Sequence, residues 1–149
     1  MTTAREAALV ARFSAYSSAV EVGIGRRPTV AAALADAGVA VTATDVVDRR
    51  ESDGVDLPPS VSFVRDDVVA ASERADPGEP YHVDLVYGLN LPPELHRPTL
   101  RVARAVDADF LFTTLGYDSA AVPAATESLP GGETLYVART DDTDSRGRE

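Results

Sequence analysis

Apolar residues recur at helical spacing near the start of the chain, where Leu9, Val10, Phe13 and Tyr16 fall on one side of a 3.6-residue repeat. The spacing predicts an amphipathic helix over residues 4–14, packed on whatever follows it. The period then changes, and Ala19-Val20-Glu21-Val22-Gly23 reads as a short buried strand that ends in glycine. Pro28 and Thr29 open a second helix with Val30, Ala33, Leu34 and Ala37 on its apolar side, because a proline in the first turn gives up no hydrogen bond there. Gly38 is placed to end that helix in a left-handed conformation. The β-branched stretch Val39-Ala40-Val41-Thr42-Ala43-Thr44 supplies a strand that ends at Asp45.

Two more apolar strands are expected at Val61-Ser62-Phe63-Val64 and Val83-Asp84-Leu85-Val86-Tyr87. A short helix over residues 68–75 and a loop at Asp76-Pro77-Gly78-Glu79-Pro80 join them. Pro92-Pro93-Glu94 starts a helix that buries Val102, Ala103 and Val106, and Asp109-Phe110-Leu111-Phe112-Thr113-Thr114 forms a fifth strand. Beyond it the alternation breaks down. Residues 115–130 hold Gly116, Pro123 and Pro130 and predict only a short helix near residues 119–128, before a last strand over Gly131-Gly132-Glu133-Thr134-Leu135-Tyr136-Val137-Ala138. The polar stretch 140–149 has no apolar residue to bury and is expected to be a disordered tail. Strands alternating with helices, and strands that are nearly continuous apolar runs, predict an α/β, Rossmann-like fold. Its sheet is mostly parallel, its helices lie on both faces, and one domain spans residues 1–139.

Charge narrows the classes of partner. The chain carries 24 acidic against 14 basic residues, a formal net charge of -10, and every basic residue is arginine. Arg26-Arg27 and Arg49-Arg50 are small basic islands, so nucleic acid is a disfavoured partner on composition. The lack of Lys and Cys, with abundant Asp, Ala and Val, resembles proteins of archaea that keep molar salt in the cytosol. There a Debye length of about 3 Å screens self-repulsion. Without cysteine there is no disulfide or thiolate metal site, and two histidines, His82 and His96, make a structural metal an unfavoured reading. No apolar run reaches the ~20 residues that cross a bilayer, and no basic patch precedes an apolar stretch at the start; a cytoplasmic protein without membrane attachment is expected.

Candidate chemistry concentrates in Val20-Glu21-Val22-Gly23-Ile24-Gly25-Arg26-Arg27-Pro28, where two glycines separate a strand from a helix. Glycine lets the backbone turn sharply and approach a ligand, while the helix N-terminus presents unpaired N–H groups to it. Asp45 ends the next strand, where a carboxylate can accept both ribose hydroxyls of a nucleoside. Tyr87 and Asn90, just past the fourth strand, are the best polar candidates to line the same cleft. A purely structural reading competes: the glycines form a turn, Asp45 caps the next segment, and Asp66-Asp67 caps a helix.

Dinucleotide sites continue as G-x-G-x-x-G, and here Pro28 holds the third glycine's place, which counts against a nicotinamide cofactor although Asp45 would suit one. With Glu21 two residues before the first glycine, the stretch is similar instead to the first motif, E/D-x-G-x-G, of S-adenosylmethionine-dependent methyltransferases. That resemblance implies a glycine loop beside the methionine part of the cofactor, an acid ending strand two on the ribose, and an acid after strand three at the adenine. Glu21, Gly23, Gly25, Asp45, and Asp66 or Asp67 stand at those places. Methyltransferases that act on amino nitrogens often carry N/D-P-P-aromatic after strand four. In Gly88-Leu89-Asn90-Leu91-Pro92-Pro93-Glu94, Leu91 separates Asn90 from the prolines and no aromatic follows.

From the lead-in helix through Val20-Glu21-Val22-Gly23-Ile24-Gly25 to Asp84-Leu85-Val86-Tyr87 and Pro92-Pro93-Glu94-Leu95, the chain resembles the archaeal uncharacterised protein family 0146. The resemblance implies a reduced Rossmann domain of methyltransferase type, with S-adenosylmethionine as its small-molecule cofactor and no named reaction. Asn90 and Leu91 stand where that family tends to have Arg and a further Pro. The leading reading is therefore an adenosylmethionine-binding protein and candidate methyltransferase. A non-catalytic nucleotide-binding or regulatory module and an NAD-binding oxidoreductase are the alternatives. Only ~25 ordered-looking residues follow the fifth strand, too few for a substrate domain, so a homodimer or another protein is expected to complete the substrate wall. His82 and His96 read as surface or capping residues, His96 lying nearer the cleft.

Overall fold

The computed structural model describes residues 3–116 and 118–140. Helix α1 (Ala4–Phe13) starts from a capping box, in which Thr3 Oγ1 accepts from the Glu6 N–H and the Glu6 carboxylate accepts from the Thr3 N–H. Strand β1 (Ser18–Val22), helix α2 (Thr29–Asp36) and strand β2 (Ala40–Asp45) form the first strand–helix–strand unit. The single turn α3 (Arg49–Ser52), β3 (Val61–Arg65), α4 (Val68–Ser72), a 3-10 turn at Glu79–Tyr81 and β4 (Leu85–Gly88) follow. The described chain closes with α5 (Pro93–Val106), β5 (Asp109–Phe112), β6 (Ala124–Leu129) and β7 (Glu133–Ala138).

The seven strands form one sheet in the order β3-β2-β1-β4-β5-β7-β6. Neighbours from β3 across to β5 run parallel, whereas β7 is antiparallel to both β5 and β6. The chain winds outward from β1 to β3 and then returns to place β4 on the other side of β1. In a parallel sheet such a reversal leaves a crevice at the carboxyl ends of the two strands.

Alternate side chains of the strands enter two separate cores, as period-two geometry requires. Ala19, Leu85 and Leu111 pack under Leu9, Phe13, Val30 and Leu34 of α1 and α2. Val20, Val86 and Phe110 pack under Val68, Ala71, Leu100 and Ala103 of α4 and α5. The fold is thus α/β and Rossmann-like, with a mostly parallel sheet between two helical layers. Among the described residues no helix is long and apolar enough to cross a membrane.

Two expectations need correction. Residues 119–128 do not form a helix: residues 119–123 are irregular, and β6 begins at Ala124. Alanines at 120, 121, 124 and 125 favour helix in isolation, but hydrogen bonding to β7 over six residue pairs wins. Gly131-Gly132 does not begin the last strand either. Both glycines have positive φ, +87° and +85°, and make the turn of the β6–β7 hairpin. A Cβ on Gly131 would lie 2.9 Å from the backbone nitrogen of Arg5, so this turn rests directly on the start of α1. Arg5 Nε donates to the Gly131 carbonyl at 3.1 Å, and Arg12 forms a two-pronged ion pair with Glu127 of β6. Past Thr140, the expected disordered tail falls outside the described residues.

His96 holds the helix-free β5–β6 connection in place. Its ring is fully buried, 4.5 Å from that of Phe112. Nδ1 accepts from the Ala121 N–H at 3.0 Å and Nε2 donates to the Leu91 carbonyl at 2.9 Å, which requires the neutral ring with its proton on Nε2.

Candidate functional site

A cleft of about 450 Å³ opens at the carboxyl ends of β1, β4 and β5. Glu21, Gly23 and Gly25 line it from β1 and its loop, Asn90 from the loop after β4, and Thr113 from the end of β5. Thr3, Arg5 and Glu6 at the start of α1, Arg26 and Arg27 after the glycines, and Glu133 at the start of β7 also line it.

The glycine loop folds back onto β2. The N–H groups of Gly23 and Ile24 both donate to the Thr44 carbonyl, at 2.9 and 3.0 Å, and the Gly25 N–H donates to Asp45 Oδ2 at 2.8 Å. Gly23 has φ +71° with nothing within 4 Å of a built Cβ, so the backbone's handedness, rather than space, calls for glycine there. Asp45 is 8% exposed, and its Oδ1 accepts from the Val47 N–H at 3.3 Å. This carboxylate therefore locks the glycine loop and lies behind the cleft lining. Two of the roughly four lone-pair positions of a carboxylate are engaged.

Glu21 forms the floor. Its side chain is 1% exposed and its Oε1 accepts the phenolic hydrogen bond of Tyr87 at 2.7 Å. Among the described residues no group donates to Oε2. Burial pushes the carboxyl up to about 8, against the lowering effect of the Tyr87 bond and with a further rise from the charge of Asp45. Tyr87 is raised well above its ordinary value, first by burial and then by Glu21. A buried acid at the base of a cleft, titrating near neutrality, is the type of group that functional sites collect.

Asn90 has φ +50°; its N–H donates to Thr113 Oγ1 at 2.8 Å, and the Leu91 N–H donates to the Thr113 carbonyl at 2.9 Å. The loops after β4 and β5 are thereby joined at the rim. Asp66 and Asp67 point to other partners. Asp66 accepts from Arg74 at 2.9 Å and from the Tyr81 hydroxyl at 2.7 Å, while Asp67 caps α4 through the Val69 N–H at 2.9 Å. His82 pairs with Asp76 on the surface and is not among the cleft residues.

Of the residues singled out from sequence, the structure gathers Glu21, Gly23, Gly25 and Asn90 around the cleft. It sets Tyr87 and Asp45 directly behind them, and leaves Asp66 and Asp67 outside its lining. Sequence reasoning missed Arg5, Glu6, Thr113 and Glu133. Thr113 carried a usable signal, being a hydroxyl just past a parallel strand, whereas nothing local marks the start of α1 or the hairpin turn as cleft-lining.

The family model for the uncharacterised protein family UPF0146 matches residues 4–140. The chain belongs to that family. A UPF0146 protein of Halobacterium salinarum is 44% identical over 133 residues, covering 88% of this chain and 94% of that protein. Among solved structures, the S-adenosylmethionine-dependent methyltransferase SibL in its apo form superposes with a TM-score of 0.58 at 17% identity, over 89% of this chain and 54% of that one. A TehB-like SAM-dependent methyltransferase from Corynebacterium glutamicum gives a TM-score of 0.57 at 17% identity, over 89% of this chain and 85% of that one. The chain spans about half the length of the first methyltransferase. At these identities the likeness shows a shared fold.

Proposed function

We propose that the cleft binds S-adenosylmethionine and that the chain is a methyltransferase. The observation that carries this reading is the unpartnered Oε2 of Glu21, the free oxygen of a side chain only 1% exposed, on the floor of a glycine-loop cleft. Once Glu21 is ionised, an ammonium group, such as that of the cofactor's methionine part, would satisfy this oxygen, and its charge favours that ionised form. The ribose is assigned to the unused lone pairs of Asp45. Val46, 54% exposed beside it, offers an apolar surface to the adenine. Asp67, with one oxygen not engaged by its cap, is the acid assigned to the adenine edge in preference to Asp66. When bound, the cofactor supplies an electrophilic methyl group. The chain's own contribution is to orient it between the glycine loop and the Asn90–Thr113 rim. The first turn of α1, pinned by the Arg5–Gly131 contact, would cover it from water.

Mass spectrometry of small molecules released from protein purified in molar salt tests the reading. Adenosylmethionine or adenosylhomocysteine is the expected product. A nicotinamide dinucleotide in their place would move the chain to the oxidoreductase alternative.

A further inference from the structure

The outer side of α5 carries Arg97, Arg101 and Arg104 at positions i, i+4 and i+7, all exposed. Between Glu94 in its first turn and Asp107 at its C-cap, α5 carries no acidic residue, in a chain with 24 of them. At the lower end Arg104 Nη2 donates to the Arg139 carbonyl at 3.1 Å, which sets the backbone just past β7 beside the row. At the upper end Arg97 Nη2 reaches the Ala121 carbonyl at 3.5 Å, one helical turn from Pro93 and the cleft loop. Among the described residues Arg97, Arg101 and Arg139 face no carboxylate at ion-pair distance, while Arg12, Arg26, Arg49, Arg50 and Arg74 each do.

We infer that this face of α5 docks the phosphate backbone of a nucleic acid. Neighbouring positions on the stripe lie about 5–6 Å apart at Cβ, and the whole stripe rises about 10 Å, so one side can follow successive phosphates of a strand. Guanidinium groups bind phosphate oxygens in two-pronged fashion, which suits an all-arginine row. A protein partner would need an apolar anchor at the centre of its contact. This face has none: Leu100, Val102 and Ala103 are buried, and Leu95 and Val106 pack half-buried against the same core. The net charge of -10 argues against general polyanion binding, so binding should depend on this row. The inference makes no use of the cofactor assignment.

Fluorescence anisotropy with a labelled RNA oligonucleotide, a DNA duplex and polyglutamate tests it. Potassium chloride is lowered from molar concentration to the lowest level at which circular dichroism shows the native fold. Binding to RNA or DNA is expected, and the preferred one identifies the source of the phosphates. For a single strand, Arg97→Gln/Arg101→Gln should weaken binding at least tenfold and flatten the log–log salt slope by about 1.4, at roughly 0.7 per phosphate contact. If the double variant loses its fold, Arg101→Gln alone should flatten the slope by about 0.7. No binding to either oligonucleotide, binding unchanged in these variants, or tighter binding to polyglutamate would each overturn the inference.

Discussion

The phenol of Tyr87 donates a 2.7 Å hydrogen bond to Oε1 of Glu21, and neither side chain is more than 1% exposed. The bond favours the ionised carboxylate and burial opposes it, with burial the larger effect. The folded chain therefore holds a proton on Glu21 up to about pH 8, whereas the unfolded chain releases it near 4.5. Stability from this group is present in full below the lower value and is lost as pH rises through the upper one. Replacing Glu21 by Gln keeps an acceptor for Tyr87 and removes the titration. Denaturation across pH 5 to 8 should show the wild type losing on the order of a few kcal/mol relative to Glu21→Gln. Parallel curves would show that Glu21 does not titrate there.

Asp45 offers a second test, because both of its oxygens accept backbone N–H bonds, from Gly25 and Val47. From sequence alone, Asn at this position is expected to cap as well as Asp and leave the melting temperature nearly unchanged. The structure argues otherwise: an amide has one oxygen, and its NH2 must face one of the two donors. Asp45→Asn should cost about 1–3 kcal/mol in chemical denaturation without ligand. An unchanged midpoint would mean that the loop holds without this lock.

Gly131 and Gly23 share positive φ, +87° and +71°, yet they differ in their surroundings. Alanine at Gly23 meets only the left-handed penalty of about 1–2 kcal/mol. At Gly131 it also meets the backbone of Ala4 and Arg5, at 3.0 and 2.9 Å, adding about 1–3 kcal/mol of overpacking. Urea midpoints of the two variants should rank Gly131→Ala well below Gly23→Ala. Equal midpoints would place the hairpin turn away from α1.

His96→Phe keeps an aromatic ring, enlarged from five atoms to six, and removes both hydrogen bonds, leaving the Leu91 carbonyl and the Ala121 N–H unpaired beside Phe112. A loss of about 2–5 kcal/mol with an unchanged denaturant slope is expected. A smaller loss would mean that water reaches both groups.

The five parallel strands and the helices between most of them are legible in the sequence, because each strand is a short apolar run closed by polar or small residues. The glycine loop and Glu21 are legible because Gly23 and Gly25 stand between a strand and a helix, a place where the backbone must turn sharply, and both do take positive φ. The hairpin is not. Strand β6 has only half-buried and exposed residues, with Leu129 its one large apolar side chain, and its alanines read locally as helix. The wall that α1 gives the cleft depends on Arg5 meeting Gly131, 126 residues away, and no local pattern encodes that meeting. Asp66 illustrates a different limit: an acid at a strand end looks the same in sequence whether it holds a ligand or Arg74 and Tyr81.

Calorimetric titration of the full chain with S-adenosylhomocysteine and with S-adenosylmethionine, in molar potassium chloride and above the Glu21 value of about 8, tests the central claim most directly. The account predicts saturable binding at one site per chain. Glu21→Gln should weaken it tenfold or more, a loss of at least about 1.4 kcal/mol. No measurable binding of either ligand, or equal affinity in the Gln variant, would contradict it.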